Sequence, residues 1–170
     1  VVAIIYLFLG NIKAVIVPAV ALPVSLIASF LGLYLFGLSI NIFVLLSFIL
    51  AIGIITDDSV IMTDAIYRRI ENGESPLIAA YKGSKQISFA IIATTLILVA
   101  VFIPLIFIDG IAGTLFRETA IALSVSVAVS SFVALTLSPM LASKFLKKEP
   151  KQNFIVTKFD KFFKSLLKFY

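Results

Sequence analysis

Apolar residues come in long uninterrupted blocks separated by short polar or glycine-bearing gaps, the layout of helices that cross a bilayer rather than of half-buried strands. Blocks at residues 1–9, 14–36, 42–67, 87–108 and 119–146 predict one partial and four complete transmembrane helices. The first, VVAIIYLFL, is too short to cross alone and reads as the second half of a span, closed by Gly10, Asn11 and Lys13. Because the chain opens mid-span without an initiator Met, we expect it to be an internal piece of a longer protein. Pro18 and Pro23 fall near the start of the second block, where a kink is tolerated if neighbours satisfy the freed carbonyls.

The gaps carry the usual stop and start signals. Gly37, Ser39 and Asn41 predict a short uncharged turn. Asn72-Gly73 breaks the polar loop 68–76, and Ser75-Pro76 reads as a helix start. Leu77 to Gln86 predicts a surface helix, with Lys82 and Lys85 on its polar side, running on into the span 87–108. Pro104 should kink that span near its far end, and Asp109 to Glu118 reads as a loop with two glycines. In the last span Ser124, Ser126, Ala128, Ser130, Ser131 and Ala134 form a small-residue set suited to close helix packing. After it the character changes. Ile155, Phe159, Phe162, Phe163, Leu166, Leu167 and Tyr170 recur at helical spacing among lysines, the pattern of a helix lying in the membrane interface. A basic amphipathic stretch directly after a span predicts lipid-surface contact, not nucleic acid. The expected fold is thus an all-α membrane protein: a polytopic transmembrane helix bundle over 1–146 with a C-terminal amphipathic interface helix over 147–170.

Composition agrees with this and narrows the chemistry. The chain is 61% hydrophobic with a mean hydropathy of +1.17, beyond the roughly 45–50% apolar content of soluble domains. With no cysteine and no histidine, disulfides, thiolate chemistry and the usual soft-metal ligands are removed from consideration. No nucleophile–base pair, metal set or phosphate loop is present, so neither an enzyme nor a cofactor is expected. Charge sets the orientation. If Lys13 is cytoplasmic, every other Lys and Arg falls on the same side except Arg117, a strong positive-inside bias among 14 basic residues. The interface helix is then cytoplasmic and the 109–118 segment is outside.

The block 42–67 contains an anomaly: two adjacent carboxylates, Asp57 and Asp58. An ionisable group inside a span costs roughly 2.5–3.5 kcal/mol even on the lenient insertion scale, and such groups survive where they face a bundle interior or wet cavity and have a function. The alternative, a span that ends at Thr56 with the acids at the interface, meets the objection that Val60, Ile61, Met62, Ala65 and Ile66 continue the apolar pattern. At about 100° per residue Gly53, Asp57 and Asp64 share one face, with Asp58 one step around it. Gly53 is suited to the close approach of a neighbouring backbone. Two neighbouring acids in low dielectric titrate as a coupled unit, which suits Asp57 and Asp58 to a proton relay.

Several stretches taken together resemble one family. YLFLGNIKAVIVPAVALPVSL, FGLSIN with AIGIITDDSVIMTDAI, GTLFRETAIAL and ALTLSPMLA stand in the order found in resistance-nodulation-division (RND) efflux pumps, and are most similar to the hydrophobe and amphiphile exporter (acriflavine-resistance) branch. The resemblance covers essentially the whole chain. It implies the second to sixth transmembrane helices of the N-terminal half and the cytoplasmic linking helix, in a multi-pass protein of the bacterial inner membrane. It further implies that Asp57 and Asp58 match the acid pair that carries protons, paired with a lysine from a second half absent here. A homotrimer, a periplasmic adaptor, an outer-membrane channel and amphiphilic small-molecule substrates are implied in the same way. Asp64 matches a position usually held by Glu, but Ala65 follows it where Asn is common, so its role is left open. Two alternatives stay open beside export: an RND-fold relative that moves lipids or polypeptide, and a non-transporting membrane scaffold.

Overall fold

The computed structural model describes Tyr6 and residues 11–147. The rest of the expected partial span 1–9, and the interface helix beyond Lys147, lie outside the described residues. Four helices and one short 3-10 segment make up the described chain: α1 (Ile12–Leu35), α2 (Ile42–Glu71), α3 (Pro76–Phe102), the 3-10 turn Ile103–Phe107 and α4 (Ile111–Phe145). Each of the four is long and apolar enough to cross a membrane, α3 together with its 3-10 extension. In hydrocarbon every backbone N–H and C=O must be satisfied within the segment, which such helices do. The chain is therefore an all-α, multi-pass membrane helix bundle.

Local chemistry explains where the helices stop and start. Asn11 Oδ1 accepts from the Lys13 amide at 2.8 Å and Asn41 Oδ1 from the Val44 amide at 2.9 Å, so α1 and α2 each begin on an asparagine cap. Both helices end on a glycine in the left-handed region. At Gly37 (φ 66°) the Leu38 amide bonds back to the Leu33 carbonyl, and at Gly73 (φ 97°) the Glu74 amide bonds back to that of Arg69. Each is a six-to-one closure that only a residue without a Cβ adopts cheaply. Pro76 opens α3, where its missing N–H costs nothing. The expected surface helix and the span after it are one continuous helix. Pro104 removes the amide that would continue α3, and the chain tightens into the 3-10 turn.

One expectation fails here. The segment read as a loop from Asp109 to Glu118 is mostly helical, because α4 starts at Ile111 immediately after Gly110 (φ 90°). Arg117 and Glu118 favour a loop on charge alone, yet long charged side chains at a helix end reach the interface while their backbone stays helical. Glu118 also accepts a hydrogen bond from Asn41 Nδ2, joining the start of α2 to the start of α4.

The centre of the bundle is α4, which packs against α1, α2 and α3, and half of whose span is buried, against 6% for α3. Contacts between α2 and α4 link Asn41 to Glu118, Ile55 to Ser130 and Ser59 to Ser138, so the sequence separation barely changes along the pair. The two helices therefore run parallel. The apolar core is divided along their length, with Leu33, Val44, Phe48 and Ala122 toward one end and Met62, Ile66, Ile70, Ala142 and Leu146 toward the other. At that second end buried Asn11 donates from Nδ2 to the Tyr67 hydroxyl at 3.2 Å, tying the start of α1 to α2. Tyr67→Phe leaves this amide donor without its acceptor and is expected to cost about 1 kcal/mol, read as a lower melting temperature of the solubilised protein. An unchanged melting temperature would show that the bond adds nothing.

Candidate functional site

Asp57 is the sixteenth residue of the 30-residue α2. At 1.5 Å per residue the helix is roughly 45 Å long and Asp57 lies about 22 Å from either end, so a hydrocarbon layer of about 30 Å placed anywhere along it includes both acids. An interface placement of the acids would leave roughly half of α2 outside the hydrocarbon and only about 22 Å of it within.

Adjacent positions on a helix point about 100° apart, and packing treats the two acids differently. Asp57 is exposed on the outer surface of the four helices, whereas Asp58 is half-buried toward α4. Ser131, buried on α4, donates from Oγ to Asp58 Oδ2 at 2.9 Å. The Ser131 hydroxyl is also hydrogen-bonded to that of Thr95 on α3, and Thr95 Oγ1 lies 2.7 Å from the carbonyl of Ile91. Three helices thus meet at Asp58 through a line of hydroxyl groups. Two further contacts hold α4 against this part of α2: Ser130 Oγ donates to the Ile55 carbonyl at 3.2 Å, and the hydroxyls of Ser138 and Ser59 lie 3.4 Å apart. Residues 14–36, 87–108 and 119–143 contain no Lys or Arg, so those spans bring no counter-charge to either acid.

The other two candidate residues sit apart from this line. Gly53 is exposed on the same side as Asp57, and a Cβ built there meets no atom within 4 Å, so no described backbone makes the close approach expected at it. Asp64 Oδ2 accepts from Arg68 Nε at 2.8 Å in an i,i+4 ion pair on the helix surface. It borders a 420 Å³ polar cleft, lined also by Arg68, Arg69, Glu74 and Gln86, that takes in neither Asp57 nor Asp58. Exposed pairs of this kind contribute about 0.3–0.5 kcal/mol. Asp64→Asn is accordingly expected to leave the melting temperature of the solubilised protein nearly unchanged. A large drop would mean that Asp64 carries more than a surface pair.

Sequence spacing assigns the small residues of α4 to close packing and leaves them unconnected with the acids. A signal is nonetheless present in that spacing. Ser124, Ser131 and Ser138 recur every seven residues, a single stripe on one side of a helix, and two of the three meet α2 at Asp58 and Ser59. Thr95 carries no comparable signal, since Thr94 and Thr95 are equivalent until α3 is placed against α4.

A multi-pass helical bundle with two adjacent carboxylates midway along one membrane-length helix is a polytopic membrane protein that carries ionisable groups inside a span. The profile described as the AcrB/AcrD/AcrF family matches residues 1–170, and the chain belongs to that family. Its members are RND transporters rather than enzymes, and this chain is transmembrane region of that type.

Proposed function

We propose that this chain is part of the proton-translocating transmembrane domain of an efflux pump that is driven by the proton-motive force and exports drugs or other amphiphilic compounds. The observation that carries the reading is the unequal pair at mid-span. Asp58 is held by a serine of the central helix, while Asp57 faces outward from the described helices, open to a partner or to water. A carboxylate so placed in a membrane has a severe desolvation cost unless it is neutralised by a proton or met by a cation. Alternation between those two states is what proton coupling requires. Asp57 and Asp58 are the relay residues, Gly53 and Asp64 are at most supporting, and protons take the place of a cofactor. In this reading the protein sits in the bacterial inner membrane with its C-terminal helix cytoplasmic, and works as a homotrimer with a periplasmic adaptor and an outer-membrane channel. The resemblance of the motifs and the positive-inside count support that placement.

The experiment is dye efflux from pump-deficient cells carrying the complete gene and its partners, with wild type compared against Asp57→Asn and Asp58→Asn at matched membrane levels. Normal efflux from both variants overturns the reading.

A further inference from the structure

Ser131 has one hydroxyl proton and reaches two side-chain oxygens, Asp58 Oδ2 and Thr95 Oγ1. Thr95 in turn reaches two acceptors, the Ser131 hydroxyl and the Ile91 carbonyl. Such a line can be satisfied in two directions. With Asp58 ionised, Thr95 donates to Ser131 and Ser131 donates to the carboxylate. With Asp58 protonated on Oδ2, the acid donates to Ser131, Ser131 turns its hydrogen to Thr95, and Thr95 turns its own to the Ile91 carbonyl. Each hydroxyl keeps its proton and only rotates. The single proton gained or lost resides on Asp58, delivered or removed by water.

We infer that Thr95 is a positioning residue for proton exchange at Asp58, because its hydroxyl gives Ser131 an acceptor when Asp58 is protonated and a donor when it is not. The inference rests on the reading of Asp58 as a relay acid. Within a bundle of low dielectric a hydroxyl left without a partner in one of the two states biases the pair toward the other state. A chain that is complete in both lets the acid change state with no helix displaced. Among the described residues the remaining ionisable group beside Asp58 is Asp57 on the same helix, since the packed spans of α1, α3 and α4 over 14–36, 87–108 and 119–143 carry no charged side chain. Thr94, one position away, bonds back within α3 to the carbonyls of Ala90 and Ile91 and takes no part.

The test uses the complete gene product. Infrared difference spectra between low and high pH give the C=O stretch of protonated Asp58, identified by its loss in Asp58→Asn. In Thr95→Val, which keeps the shape and removes the hydroxyl, this band is expected to move to higher frequency as its hydrogen bond weakens. Dye efflux at matched membrane levels is expected to fall about fivefold, the worth of one typical hydrogen bond. Thr95→Ser restores both. If Thr95→Val does not accumulate, Thr95→Ala is read in its place. A wild-type band and rate without the hydroxyl overturn the inference, as does a lowered rate with an unmoved band or without rescue by Ser. Normal pumping by Asp58→Asn is a different result: it removes the relay reading itself.

Discussion

Asp58→Asn in the complete gene product is expected to bring dye efflux down to the level of protonophore-treated wild type, a loss on the order of a hundredfold or more, while the protein still accumulates in the membrane. The two halves of this prediction have separate causes. Transport is lost because a carboxamide cannot take up and release a proton at the working pH. Accumulation is kept because the carboxamide still offers an oxygen to Ser131 in place of the 2.9 Å bond to Asp58, so α2 and α4 lose no contact. Asp57→Asn is expected to have the same effect on transport with accumulation at or above wild type, since Asp57 is exposed and its charge is a burden in the membrane. Asp58→Leu makes the contrast. It removes the acceptor as well as the proton, and should lower both transport and accumulation. Membrane levels by immunoblot, read beside dye retention, separate these outcomes. If Asp58→Asn and Asp57→Asn pump normally, the acids are structural and coupling must be sought elsewhere in the protein.

A large effect on stability is expected of Gly83→Leu. Buried Gly83 lies where α3 meets α2, and a Cβ added there stands 2.9 Å from Ile66 Cγ1, 3.2 Å from its Cα and 3.3 Å from its amide nitrogen. A flexible side-chain tip could swing aside, but backbone cannot, and Ile66 is itself fully buried. Alanine already forces the helices apart by a few tenths of an ångström. Overpacking of this kind costs about 1–3 kcal/mol, offset in part by the roughly 1 kcal/mol that alanine gains over glycine inside a helix. Leucine has no such room at all, and α3 can accept it only by lifting off α2. Thermal unfolding of the solubilised protein should therefore rank wild type above Gly83→Ala, with Gly83→Leu failing to accumulate or melting far lower. A Gly83→Leu protein that melts like wild type would mean that the α2–α3 contact is looser than described.

Much of the architecture is legible in the chain because membrane spans obey local rules. Hydrocarbon demands an unbroken internal hydrogen-bond ladder, so the length of each apolar block alone announces a helix. The ends are equally local. Gly37 and Gly73 close α1 and α2 with positive φ, Asn41 caps α2, and Pro76 opens α3, each where its own backbone chemistry directs. The start of α4 is misread when charge at Arg117 and Glu118 is weighed above the turn signal of Gly110, and hydropathy cannot tell a charged loop from a helix end with long charged side chains. The acid pair stands out for the opposite reason, since its cost in a span holds whatever packs around it.

Where the determinants lie between helices, the chain by itself is silent. Asp57 and Asp58 are identical in type and adjacent in sequence, and nothing local makes one of them the partner of Ser131. Gly53 and Gly83 are both glycines in helices, yet only Gly83 has a neighbouring backbone against it. Both distinctions are set by how far each helix is rotated about its axis and by the parallel register of α2 on α4. Rotation and register follow from the summed packing of residues some 75 positions apart, as with Ser130 on Ile55. The sequence by itself determined the four helices, most of their ends and the presence of an adjacent acid pair midway along α2. Only the tertiary structure decided which acid is held, by which hydroxyls, and which acid faces outward from the described helices, because those depend on side-chain contacts between helices that no local pattern encodes.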